Sequence, residues 1–299
     1  MTKRLRGVIA AITTPVLENG EPDIPRFLAR ARQLLDSGCD SLNVLGTTGE
    51  ATSLSVSQRM DVMNALAGSG LPLARMMVGT GAAAVRDAMV LTREAGELGF
   101  AGALLLPPFY YQPVTDAGIL RVFDEVANSS AAAPLPLYLY NFPALSGTPY
   151  TPALVAALVA RFGDLIAGLK DSSGDIAYAR QIAALSTHLD VFPSNEAHLM
   201  LARDEGPFAG CISATANLNA VDCALAYHHG DKAALARAVA VRGLFDGLPL
   251  VPGVKAMVAH LSGDLEHART LPPFSPLLAE QMQTLVSRHV ALCAPSPVA

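Results

Sequence analysis

Leu165-Ile166-Ala167-Gly168-Leu169-Lys170 runs apolar for the length of a strand and ends in one lysine, after which Asp171-Ser172-Ser173-Gly174-Asp175 turns polar. Such a run reads as a buried strand whose last side chain is an amine. Burial disfavours the charged form of a lysine, and a neutral amine attacks ketones. A lysine at a strand end can equally snorkel its charge into water, and for a lysine taken alone that is the ordinary outcome. The catalytic reading of Lys170 gains weight from the rest of the chain, which repeatedly sets small hydroxyl, tyrosyl and carboxylate residues at equivalent points.

Similar apolar runs begin near Gly7, Asp40, Leu73, Gly102, Leu135, Asp190 and Gly210. Between them, helical periodicity marks 25–37, 55–68, 84–98, 115–129, 152–161 and 176–185. Eight alternations of this kind predict an α/β fold, a (β/α)8 TIM barrel whose parallel strands are covered by helices. From about Gly230 the strands stop. Segments 231–245, 254–261 and 276–292 read as helices, separated by the helix-breaking Gly247-Leu248-Pro249 and Leu271-Pro272-Pro273. The expected organisation is a catalytic barrel over 1–229 and a C-terminal three-helix extension over 230–299, with a disordered tail at 294–299.

The chain has 299 residues, 51% of them hydrophobic and 16% charged, which is enough to bury a large core. A net charge of −5 without a basic, aromatic-interleaved patch argues against nucleic acid as a partner. Gly, Pro or charge interrupts every apolar run before membrane-spanning length. Met1 to Arg6 is basic but leads into a strand-like segment without a cleavage-site pattern, so no signal peptide is expected and the cytoplasm is the expected location. Cys39, Cys211, Cys223 and Cys293 form no CxxC pair and read as buried small side chains. The seven histidines form no HxH or HExxH, and His228-His229 reads as a solvated helix end. No metal is expected.

In a barrel the chemistry sits at the carboxyl ends of the strands. Here those ends read Thr13-Thr14-Pro15, Gly46-Thr47-Thr48-Gly49-Glu50, Gly79-Thr80-Gly81, Pro107 to Pro113, Tyr138 to Pro143, Lys170 with its followers, Ser194-Asn195-Glu196, and Ser213 to Asn217. At Gly46 to Glu50 the glycines let backbone approach a ligand, and Thr47, Thr48 and exposed N–H groups suit a small carboxylate. By itself this stretch fits an ordinary strand-to-helix turn as well. Tyr140 is a candidate proton carrier, or else a core aromatic with a satisfied hydroxyl. Tyr110 and Tyr111 lie in a proline-flanked loop and fit packing or an interface.

Together, GTTGE after the second strand, PPFYYQP after the fourth, YNFPALSG on the fifth and GLKDSSGD on the sixth resemble the dihydrodipicolinate synthase/N-acetylneuraminate lyase family, in family order and spacing over nearly the whole chain. The resemblance implies a homotetrameric barrel with a C-terminal helical extension that forms a Schiff base with pyruvate or another 2-oxo acid. It implies Lys170 as the Schiff-base lysine, Tyr140 as the proton shuttle, and Thr47 and Thr48 as the hold on the 2-oxo acid carboxylate, with Thr47 also in the hydroxyl relay. Tyr111 matches the tyrosine that completes the relay across a subunit interface. Gly210-Cys211-Ile212-Ser213 matches the strand whose backbone lines the pyruvate pocket. An iminium on Lys170 is an electron sink that needs no metal or organic cofactor.

Departures from the family pattern narrow the substrate. Leu145 stands where the synthases carry an arginine for the aldehyde's carboxylate, which weakens the synthase reading. Ala144-Leu145-Ser146-Gly147 resembles the sialic acid lyase branch, yet Asn195, Glu196 and Ala214 do not complete that branch's contact set. A 2-oxo-3-deoxy sugar acid or similar 4-hydroxy-2-oxo acid, cleaved to pyruvate and an aldehyde, becomes the leading substrate class. Its hydroxyls would meet Ser146, Thr148, Asn195, Glu196 or Ser213. A synthase with an altered carboxylate site, a Schiff-base dehydratase or deaminase, and a non-catalytic 2-oxo acid sensor are the alternatives. A phosphate-binding barrel isomerase is disfavoured, because no glycine-rich anion cradle follows strands seven and eight.

Overall fold

The computed structural model describes residues 4–203 and 206–293, Cys293 by its backbone alone. The expected tail at 294–299 and the Cys293 side chain therefore lie outside the described residues. Eight strands form the frame: β1 Gly7–Ala11, β2 Ser41–Val44, β3 Met76–Gly79, β4 Gly102–Leu105, β5 Leu137–Asn141, β6 Ile166–Asp171, β7 Asp190–Pro193 and β8 Gly210–Ser213. Every paired neighbour is parallel, in the order β7-β6-β5-β4-β3-β2-β1-β8. Ala209 N donates to Val191 O at 2.9 Å where β7 meets β8, which brings the sheet close to a closed cylinder. The result is a TIM barrel.

The helices are α1 Ile24–Asp36, α2 Val56–Gly68, α3 Val85–Leu98, α4 Asp116–Ser129, α5 Pro143–Ser146, α6 Pro152–Phe162, α7 Ile176–Ala183, α8 Ala216–His229, α9 Lys232–Gly243, α10 Leu250–Ser262 and α11 Ala279–Cys293. Their starts follow local capping chemistry. Ser55 Oγ accepts from Gln58 N at 3.2 Å while Gln58 Oε1 accepts from Ser55 N at 2.9 Å, a reciprocal box that starts α2. Thr115, Thr151, Asp175 and Asp231 cap α4, α6, α7 and α9 in the same side-chain-to-backbone manner. His228 and His229 are exposed at the end of α8, where Gly230 takes a left-handed φ of 70°. No helix among the described residues is long and apolar enough to cross a membrane.

The entry to β3, the seventh crossover and the middle helix of the extension depart from the sequence reading. After Pro72 the backbone makes a 3₁₀ turn over Leu73–Arg75, so β3 begins only at Met76. Arg75 pins that turn by donating to the Asp40 and Cys39 carbonyls, each at 2.7 Å. The seventh crossover carries a 3₁₀ run, Glu196–Ala202, in place of an α-helix. The middle helix of the extension starts at Leu250 rather than Val254, because Pro252 falls in its first turn, where a missing N–H costs nothing.

Strand alternation sorts the side chains into two layers. Val8, Ala10, Leu42, Val44, Leu139 and Leu169 pack outward against the helices, while Ile9, Ala11, Met77, Leu104, Tyr138, Tyr140, Phe192 and Ile212 fill the interior. On β6 the outward Leu169 leaves Lys170 facing inward at the strand's carboxyl end, beside Tyr140 of β5 in the parallel register. Gly168 keeps that register open. A β-carbon there would lie 2.0 Å from the Asp190 carbonyl oxygen of β7.

The extension is fastened to the barrel by a buried ion pair. Lys255 on α10 and Glu50 after β2 are both fully buried and directly bonded. Lys255 Nζ also donates to Thr14 O at 3.0 Å, and Glu50 Oε1 accepts from Leu271 N at 2.7 Å. Burial pulls the Lys255 ammonium below its ordinary pKa, and Glu50 opposes that pull. Removing one member of such a pair leaves the other charge buried without a partner. Lys255→Met is therefore expected to cost about 3–5 kcal/mol, read as a lower urea midpoint. An unchanged midpoint would show that the pair contributes nothing to holding the extension.

Candidate active site

The loop after β2 is bracketed by two non-glycine residues in left-handed conformation, Leu45 with φ 51° and Glu50 with φ 54°. Such conformations persist where surrounding contacts over-determine them. Here Glu50 is held through both carboxylate oxygens, and its N–H closes the turn on Thr47 O at 3.0 Å. The turn presents Thr47 and Thr48 toward the barrel axis, and both line the central cavity.

Lys170 is only 4% exposed, and its Nζ lies 4.4 Å from the centroid of the Tyr140 ring. Tyr140 OH is 3.2 Å from Thr47 Oγ1. These three side chains surround a cavity of about 290 Å³ at the carboxyl ends of the strands. Ser172, Ser194, Ile212 and Ala214 complete the barrel side, and Phe142 and Leu145 stand on the β5 side. Among the described residues, no aspartate or glutamate lines this cavity. Asp171, next to the lysine, points into a clamp of its own. Its carboxylate accepts from Asn141 Nδ2 at 2.8 Å and from Ser173 N and Oγ at 3.1 and 2.9 Å, and burial holds it above the usual carboxylate range.

The other residues singled out in the sequence are distributed around this centre. Gly46 borders a small hollow behind Thr47 and Tyr140. Leu145 sits at the rim, 63% exposed. Asn195 caps the 3₁₀ run through Ala197 N at 2.9 Å and faces a separate hollow. Glu196 is fully buried, accepting from Ser213 Oγ at 2.5 Å and from Thr215, so neither Glu196 nor Ser213 lines the cavity. Ser146 Oγ donates to Thr148 O at 2.9 Å and Thr148 Oγ1 to Pro108 O at 3.1 Å. Gln112 Nε2 reaches Ser146 O and Thr148 Oγ1 at 2.7 and 2.9 Å. That approach requires Gly147, where a β-carbon would stand 2.8 Å from Gln112 Nε2. The Pro107 to Pro113 loop is thereby tied to the turn after β5. Tyr111 stacks edge-on with Tyr110 and is 81% exposed, away from the cavity of its own chain.

Sequence reasoning missed one polar residue of the cavity and its roof. Arg242, in the last turn of α9, reaches the lining, and Leu250, Val251 and Phe274 cover the opening. No local motif marks them, because all four belong to the extension and meet the site only through the tertiary fold. Among the described residues, no three His, Cys, Asp or Glu side chains gather as a metal-ligand set. Cys39, Cys211 and Cys223 are buried free thiols whose pKa values burial pushes up.

An eight-stranded parallel barrel whose cavity, at the carboxyl ends of the strands, holds a lysine, a tyrosine and two threonines is the frame of a barrel enzyme. The chain belongs to the dihydrodipicolinate synthetase family, whose model matches residues 4–290. It is an enzyme of the lyase class, acting on carbon–carbon bonds. A DapA-like lyase of uncharacterised activity from Chloroflexus aurantiacus is 32% identical over 97% of each chain. YagE of Escherichia coli K12, provisionally named a 2-dehydro-3-deoxy-D-gluconate aldolase, is 29% identical over 96% of this chain and 97% of its own. The crystal structure of YagE in complex with pyruvate superposes with a TM-score of 0.85 at 28% identity, over 96% of this chain and 98% of that one. Dihydrodipicolinate synthase from Agrobacterium tumefaciens C58 superposes with a TM-score of 0.89 at 28% identity, over 96% of this chain and 99% of that one.

The Tyr140–Thr47 contact makes a specific demand on the hydroxyl. Tyr140→Phe keeps the ring against Lys170 and the packing of β5, so the melting temperature should hold while turnover falls by about two orders of magnitude or more. Near-normal turnover with an unchanged melting temperature would reduce Tyr140 to a packing residue.

Proposed function

We propose that the protein is a pyruvate-dependent class I aldolase, cleaving a 2-oxo-3-deoxy sugar acid or similar 4-hydroxy-2-oxo acid to pyruvate and an aldehyde. The observation that carries this reading is the buried Lys170 amine against the Tyr140 ring, with Tyr140 OH 3.2 Å from Thr47 Oγ1, in a cavity without acidic lining among the described residues. The Lys170 amine adds to the C2 ketone, and the carbinolamine loses water to give an iminium. Tyr140 gives its proton to the hydroxide that leaves the carbinolamine, and the resulting tyrosinate, hydrogen-bonded to Thr47, takes the proton of the C4 hydroxyl as the C3–C4 bond breaks. The electron pair of that bond moves into the iminium, leaving an enamine and releasing the aldehyde. Protonation at C3 and hydrolysis return the lysine and free pyruvate. Thr47, Thr48, Gly46 and the Ile212 strand hold the substrate carboxylate.

A second reading, condensation of pyruvate with aspartate semialdehyde, is favoured by the high structural similarity to the Agrobacterium synthase. The same iminium would serve it. Against it, Leu145 supplies no bidentate partner for a carboxylate on the β5 side of the cavity. Tyr111, solvent-exposed on its own chain, completes the relay from a neighbouring subunit of a homotetramer, which acts in the cytoplasm. The assay that separates the two reactions compares kcat/KM for aldol cleavage of 2-oxo-3-deoxygluconate with that for condensation with aspartate semialdehyde. Cleavage is expected to be faster in the unmodified protein, and Leu145→Arg should narrow the difference. Faster consumption of aspartate semialdehyde by the unmodified protein would make the synthase reading the correct one.

A further inference from the structure

The β7–β8 side of the cavity is where the far end of a sugar acid would need hydroxyl partners, and its obvious acceptors are already engaged. Glu196 receives Ser213 and Thr215 on one oxygen. Its other oxygen receives Arg242 Nη1 at 3.3 Å. Asn195 faces a different hollow. Besides the Ser194 side chain, what this side presents to the cavity is Arg242, whose side chain is 27% exposed and has no partner besides Glu196 among the described residues. The buried Glu196 engages Nη1 of the Arg242 guanidinium, and no other acceptor among the described residues takes its remaining N–H donors. An arginine offers only donors, in a planar fork that matches carboxylate and phosphate oxygens.

Among the described residues, Lys170 and Arg242 are thus the basic residues of the lining, which holds no acidic one. Once the lysine is consumed as an iminium and the C1 carboxylate lies at the threonine turn, Arg242 remains without an anion from the ligand's near end. From this we infer that Arg242 is the specificity determinant for the aldehyde half of the substrate, which carries an anionic group, a carboxylate or a phosphate ester, at its far carbon. The inference rests on the aldolase reading above and refines its substrate. It also places the second anion on the β7–β8 side, supplied by the C-terminal extension, rather than beside Leu145 on the β5 side.

The test uses three six-carbon 2-oxo-3-deoxy acids that differ only at the far carbon, which bears a hydroxymethyl group, a carboxylate or a phosphate ester. Pyruvate release gives kcat/KM for each with the full-length protein. One anionic substrate should exceed the neutral one by about ten- to a hundredfold, the usual worth of a hydrogen bond to a charged group, and the leading arm identifies the anion. Arg242→Met should collapse that ratio, mainly through KM, and Arg242→Lys should restore part of it. Because Arg242→Met leaves Glu196 buried and unpaired, Arg242→Met/Glu196→Gln provides a second variant, with the melting temperature of each recorded. Equal or better cleavage of the neutral acid by the unmodified protein, or an equal loss on all three substrates in every variant, would overturn the role of Arg242. No pyruvate from any of the three would instead overturn the aldolase reading on which it rests.

Discussion

A carboxylate sealed from water must be met at every lone pair that faces it, and Glu50 meets that requirement by drawing three parts of the chain together. Lys255 comes from α10 of the extension, the Leu271 amide from the segment between α10 and α11, and Thr14 O, beyond β1, shares the lysine's protons. Glu50 holds these bonds from a left-handed backbone conformation. A conformation of this kind costs of order 1–3 kcal/mol, and it persists here with both carboxylate oxygens held. The consequence reaches the chemistry, because Glu50 closes the turn that carries Thr47 and Thr48. The extension is therefore part of the machinery that shapes the threonine turn, as well as the source of the cavity's roof.

The same extension sets the electrostatics. A chain with a net charge of −5 encloses a cavity whose lining, among the described residues, holds basic side chains and no acidic one. The nearest acids are turned away and engaged elsewhere, Asp171 by Asn141 and Ser173, and Glu196 by Ser213, Thr215 and Arg242. Buried carboxylates that are fully hydrogen-bonded to protein do not compete for a substrate anion. The arrangement suits ligands that arrive negatively charged and react through a ketone.

Strands and most helices were legible because their signals are local. Alternation on β5 and β6 turns Tyr140 and Lys170 inward from the outward Leu139 and Leu169, and Ser55, Thr115 and Thr151 announce their helices through bonds to amides two or three residues away. Juxtaposition of Lys170, Tyr140 and Thr47 followed from placing each at a strand end of one barrel. What was not legible depends on partners distant in sequence. Glu196 and Ser213 looked like substrate contacts because nothing local reveals that each satisfies the other. Ser146 and Thr148 looked equally available, yet they anchor Gln112. Arg242 carried no signal, since an arginine near a helix end is an ordinary surface residue until the extension folds over the barrel. The 3₁₀ run after β7 escaped notice for the same reason, because Glu196 is drawn inward by tertiary bonds.

The central claim is that Lys170 is the nucleophile, and the most direct measurement is peptide mass spectrometry of the protein after incubation with pyruvate and borohydride. The chain has four lysines, Lys3, Lys170, Lys232 and Lys255, and Lys255 is locked against Glu50. The account predicts one reduced pyruvate per chain, on the peptide that contains Lys170. An unchanged mass, or the adduct on any of the other three lysines, would contradict it.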